Sequence, residues 1–144
     1  MHTPAKGQAT AGDLLFLALG AWAIPGAAHL WQRQWTKGLV VMVALLLMFV
    51  IGLALGGRLF PFRLSEPLVA LAALADAGIG IPFFLARALS LGAGRVTDVT
   101  FEYGNTFLIV AGLMNLLVVL DACDIARGLK TARPAEPPPA ARGR

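Results

Sequence analysis

Four apolar runs separated by short polar turns set the pattern of this chain: Leu14 to about Trp31, Gly38 to Gly57, Leu68 to about Leu89, and Gly104 to Cys123. Each comes near the ~20 residues with which an α-helix, rising about 1.5 Å per residue, crosses a hydrocarbon core. The second run is the cleanest, with no charged or amide side chain. The fourth holds no charge from Thr106 to Leu120, and Asn115 is its one strongly polar side chain. The pattern predicts an all-α polytopic integral membrane protein of four transmembrane helices, at about 13–31, 38–57, 67–89 and 104–123. These form one domain over 13–130, between a flexible N-terminus (1–12) and a disordered Pro/Ala/Arg tail (131–144).

Two of the runs are interrupted. Pro25-Gly26 lies inside the first and should kink or break its helix, with Trp31 and Trp35 placed for an interfacial aromatic belt. Lys6 ahead of an apolar stretch also suits a signal peptide, but the run continues to Trp31 and more spans follow, which favours a retained helix. The third run carries Asp76, Gly78, Gly80 and Pro82 in one cluster, so a bent span or a re-entrant segment is expected there. Gly52 and Gly56 form a GxxxG pair. Gly112 shares a helix face with Asn105, Leu108 and Asn115. Small residues beside an amide suit close helix packing with an interhelical hydrogen bond; an amide lining a polar path is the sharper alternative.

Composition supports the membrane assignment. Of 144 residues 58% are hydrophobic and 14% charged, and the mean hydropathy of +0.74 is too high for a soluble domain. A net charge of +4 would suggest nucleic acid in a soluble protein, but here the basic residues sit in turns and tail, where a lipid bilayer accounts for them. No nucleic-acid partner is expected. The lone Cys123 rules out an intrachain disulfide, and His2 and His29 lack metal-ligand spacing. No metal, cofactor or catalytic constellation is expected. With four spans both termini share one face, where eight basic residues stand against four opposite, or six against four without the distal tail arginines. That bias places both termini in the cytoplasm.

The charged residues inside or beside the runs are the candidates for chemistry. Asp76 is the carboxylate placed well within a span, which is expensive and a functional candidate by default. It and Asn115 lie roughly 14 and 9 Å from the same surface at helical rise, so a hydrogen bond between them is expected. A site for a proton or cation, with Gly78 to Pro82 exposing backbone carbonyls, is the functional alternative. Asp121 and Asp124 stand at a helix C-terminus, where negative charge needs cations. Arg127, Arg58 or Arg63 should supply them, while Asp98 and Glu102 should face Arg33, Lys37 or Arg95. His29, past the Pro25-Gly26 kink, should bond a freed carbonyl.

The segments Phe101-Glu102-Tyr103-Gly104-Asn105-Thr106-Phe107, Ala111-Gly112-Leu113-Met114-Asn115-Leu116-Leu117 and Leu120-Asp121-Ala122, with Asp124-Ile125-Ala126-Arg127-Gly128, resemble a bacterial family of small multi-spanning membrane proteins, a domain of unknown function. Pro25-Gly26, His29 and Lys37-Gly38 are similar to that family's first hairpin. The same turn loosely resembles small two-helix membrane domains with a Gly-x-His-x-aromatic turn, although Ala28 stands where glycine is usual. The resemblance implies a bacterial inner-membrane location and no particular activity. The expected role is a non-enzymatic structural or accessory subunit, packing with itself as a homo-oligomer or with a larger membrane partner. The alternatives are a small oligomeric transporter or channel using Asp76 and Asn115, and a membrane enzyme on lipid-like substrates using His29, Asp121 or Asp124. Estimated depths put His29 on the face opposite those two acids, which counts against the enzyme.

Overall fold

A computed structural model describes residues 10–129. It contains six helices: α1 (Ala11–Ala23), α2 (Ala27–Trp31), α3 (Trp35–Ala54), α4 (Pro67–Ala77), α5 (Ile81–Ala88) and α6 (Phe101–Ala126). Among the described residues there is no strand, only an isolated bridge between Arg58 and Ala93. Two helices, α3 and α6, are long and apolar enough to cross a membrane, with mean hydropathies of 2.5 and 2.2. The pair α4–α5 raises that to three if it is taken as one broken span.

The ends of the fold follow local chemistry. Thr10 caps α1 by accepting from the Asp13 amide, and the Asp13 carboxylate accepts in return from the Thr10 amide. The cap is therefore Thr10, and the helix begins inside the segment expected to be a loose N-terminus. At the other end α6 runs past the expected span end at 123 and stops at Ala126, with Gly128 at φ 74° beyond it. Most of the expected flexible N-terminus, residues 1–9, and the whole 131–144 tail lie outside the described residues.

The first apolar run is not a single span. After α1 the chain turns at Pro25 and Gly26, the latter at φ 79°, and α2 folds back along α1. Ala21 and Ala28 meet in one cluster with Ala122, and the Phe16 and Trp31 rings lie edge to face at 6.4 Å. A Pro–Gly pair allows more than a kink, because Pro25 offers no amide hydrogen to Ala21 and Gly26 adopts a left-handed conformation.

The third run reverses as well. Helices α4 and α5 are bent by 108° across Gly78–Gly80, with Gly80 at φ 81°. Segment 58–63 sits in the crook. The Phe60 amide donates to Asp76 Oδ2 on α4, the Phe60 carbonyl accepts from Arg87 on α5, and the Phe62 and Phe83 rings touch edge to face. The segment after α5 pairs with the one before α4, the Leu59 amide donating to the Gly92 carbonyl at 2.9 Å. Helix α5 thus brings the chain back toward the loop it left.

The two halves therefore share one plan. Each is a short helix, a glycine break with positive φ, a shorter helix, and then a long one, of 13, 5 and 20 residues and then 11, 8 and 26. The long helices run antiparallel: Lys37 at the start of α3 reaches Asp121 near the end of α6, while Gly52 packs against Gly104 and Leu108. No repeat is visible in the sequence, because the interrupting residues differ between halves.

Candidate functional site

The two hairpin tips meet at Asn115, midway along α6. The reason lies in the break after α4. Gly78 caps the end of α4 and the chain turns away at Gly80, so the Gly78 carbonyl has no donor from a continuing helix and needs another. Asn115 Nδ2 supplies it at 2.9 Å and also donates to the Trp22 carbonyl at the end of α1 at 3.1 Å. The Trp22 indole N–H crosses the other way to the Ala77 carbonyl at 3.0 Å. Asn115 is fully buried, in a place made by glycine: a Cβ on Gly112 would lie 1.8 Å from the Ala75 carbonyl oxygen. Replacing Asn115 with leucine should cost about 1–3 kcal/mol, the loss of two bonds in an apolar setting. Reversible unfolding in mixed detergent micelles measures it, and an unchanged midpoint would contradict the assignment.

Asp76, also fully buried, does not bond Asn115 as expected. Its Oδ2 accepts from the Phe60 amide at 3.0 Å. Asn115 is drawn away because carbonyls freed at the two breaks compete for its hydrogens. Asp76 Oδ1 and Asn115 Oδ1 are both buried with no hydrogen-bond partner among the described residues.

A second polar cluster closes the end where α2, α3 and α6 meet. Lys37 Nζ lies 2.6 Å from Asp121 Oδ2, His29 Nε2 lies 3.5 Å from the same oxygen, and Gln32 Nε2 donates to the Ala122 carbonyl at 2.8 Å. This corrects three expectations. Asp121 pairs with Lys37, not with Arg58 or Arg63, because the reversal at Gly26 starts α3 at the end where α6 finishes. Neither Asp124 nor Arg127 enters an ion pair among the described residues. His29 faces a carboxylate and not a freed carbonyl, and the depth separating it from Asp121 disappears.

At the opposite end Asp98 pairs with Arg95 at 2.9 Å, one of the expected partners, whereas Arg33 and Lys37 belong to the other end. Arg63 pairs with Glu66 at 3.4 Å. The glycine contacts are largely internal. A Cβ on Gly52 would meet the Leu108 side chain at 2.8 Å, and one on Gly57 the Gly104 backbone at 2.7 Å. Gly56 is not at a helix–helix contact and packs instead against Arg95 and Asp98. It lies beyond α3 at φ 83° and forms a Schellman turn, its amide donating to Leu53 and that of Gly57 to Gly52.

Among the described residues no cluster of three or more His, Cys, Asp or Glu is placed to hold a metal ion. Trp22 and Gln32 were not among the candidates read from the sequence, and Lys37 was expected to face Asp98 or Glu102 and not Asp121. The glycine cluster at Gly78 and Gly80 signals the break that orphans a carbonyl, but nothing local identifies its donor.

Comparison with known proteins gives a family match. A sequence family described as a family of unknown function (DUF6677) matches residues 16–135. No curated protein and no solved structure matches the chain.

Proposed function

We propose a role for this chain, which belongs to the DUF6677 family of unknown function, as a non-enzymatic structural or accessory subunit of a membrane. The observation that carries the proposal is the use of Asn115. Its amide is spent on two backbone carbonyls, which makes it a staple between hairpins. In the bilayer α3 and α6 span, α1–α2 re-enters from the face that holds the termini, and α4–α5 re-enters from the other. Irregular backbone at that depth is tolerated where protein covers it, as Gly80 is covered by Trp22 and Ala23. Exposed Leu39, Val43, Leu47 and Val50 line one face of α3 for lipid, a second copy or a larger partner. Arg33 and Lys37 take the termini's side and Arg58 and Arg63 leave it, so the balance stays eight against four and favours cytoplasmic termini. The family resemblance extends this to a bacterial inner membrane.

Purification at native abundance into lipid nanodiscs, with mass and co-purifying proteins determined, tests the role. A stoichiometric larger partner or a defined homo-oligomer is the expected result. A monomer without companions would overturn it.

The paired breaks favour a second reading. Gly- or Pro-interrupted segments in corresponding positions of two opposed halves are where membrane transporters place binding sites. Here the breaks adjoin Asp76 and Asn115, each with a free buried oxygen. On that reading Asp76→Asn abolishes a proton or cation flux in proteoliposomes while abundance and unfolding midpoint are preserved. Equal flux in variant and wild type would exclude it.

A further inference from the structure

We infer that the end of the molecule opposite the termini holds a binding site for one anionic glycerophospholipid, with its phosphate on Arg58 and Arg87 and an acyl chain between α3 and α5. The inference rests on the membrane reading above and adds a ligand to it.

A cavity of about 420 Å³ opens there, lined by Arg58, Arg63, Arg87, Ser90 and Leu91 among others. Its charge is poorly neutralised. Among the described residues no ion pair engages Arg58 or Arg87, and Arg63 meets Glu66 only at 3.4 Å with both side chains more than half exposed. The nearby Arg95 is already matched by Asp98. One guanidinium, that of Arg87, is held in place, and Arg58 is anchored at its stem. Arg87 donates to the Phe60 carbonyl at 3.2 Å and lies over the Phe83 ring at 5.6 Å, while the Arg58 stem packs where Gly94 has no side chain. Guanidinium groups offer a planar fork of donors that matches phosphate oxygens.

The shape beside the cavity selects a lipid over a free anion. Leu91 lines both the arginine cavity and an apolar groove of about 280 Å³ between α3 and α5, where Val50, Leu53, Leu85 and Leu89 also contribute. The groove exposes almost no polar surface, so it suits an alkyl chain and offers a small anion nothing.

The test is native mass spectrometry of the full chain released from nanodiscs of equimolar phosphatidylglycerol and phosphatidylcholine. Retained phosphatidylglycerol should exceed phosphatidylcholine for wild type. The double variant R58Q/R87Q should lose roughly 30-fold in that preference, about fivefold for each arginine. V50W, which fills the groove and keeps every arginine, should lose bound lipid as well. R58Q alone leaves the Arg87–Phe60 bond intact and guards against a folding defect, and it should lose about fivefold. An unchanged preference in R58Q/R87Q overturns the site. Displacement of bound lipid by millimolar glycerol phosphate, with V50W indifferent, overturns the lipid in favour of a free anion. Failure of the protein to incorporate into nanodiscs would instead count against the membrane reading.

Discussion

Gly80→Ala should be the most damaging single-methyl change in this protein, costing about 3–6 kcal/mol of stability from backbone strain together with overpacking. Two penalties coincide. The residue has φ 81° and ψ −136°, a conformation that side-chain-bearing L residues avoid. Its added Cβ would stand 2.0 Å from the Trp22 carbonyl oxygen and 2.8 Å from that of Ala23. Both obstacles are backbone, so no rotamer change relieves them, and separating the tips would strain the bonds Asn115 makes to Trp22 and Gly78. Reversible unfolding in mixed micelles should show either a much lower midpoint or no folded fraction. A loss under about 0.5 kcal/mol, the range of changes far from packed features, would mean that the hairpin tips do not touch.

Gly112→Ala should follow closely, at about 2–4 kcal/mol from overpacking. Its backbone conformation is ordinary helix, so the whole effect is contact: the new Cβ would overlap the Ala75 carbonyl at 1.8 Å and force α4 away from α6. Displacing α4 carries Asp76 and Gly78 with it. Gly20→Ala in α1 is the control, since nothing lies within 4 Å of its added Cβ. It should be neutral or slightly stabilising, because alanine favours helix over glycine by about 1 kcal/mol. Equal behaviour of the two variants would contradict the packing described.

The parts legible in the sequence are those that depend on local composition. The second and fourth apolar runs became α3 and α6 because an uninterrupted apolar stretch near 20 residues has one low-energy form in hydrocarbon. The break at Gly78 to Pro82 was legible for the same local reason. The first run was misjudged because run length records how much chain is apolar and not which way it points. Pro25-Gly26 can bend a span or reverse it, and the outcome depends on Gly38 and Met42, against which Gly26 packs. That single reversal moved Lys37 and His29 to the end of Asp121, so every pairing expected across it failed together. Arg95–Asp98 survived because three residues separate its partners in the chain. The Asp76–Asn115 bond failed for a different reason. Depth alone placed them together, and the competing carbonyls become visible only when the donors and acceptors of the breaks are counted.

If both interrupted runs are re-entrant hairpins from opposite faces, as proposed, single-cysteine labelling in intact membranes shows it most directly. In a Cys123→Ala background, R33C, S65C, T97C and L129C are exposed to a membrane-impermeant thiol reagent from one face at a time. The structure predicts that R33C labels with L129C from one face, and S65C with T97C from the other. Labelling of R33C with T97C, and of S65C with L129C, would restore four simple spans and contradict the account.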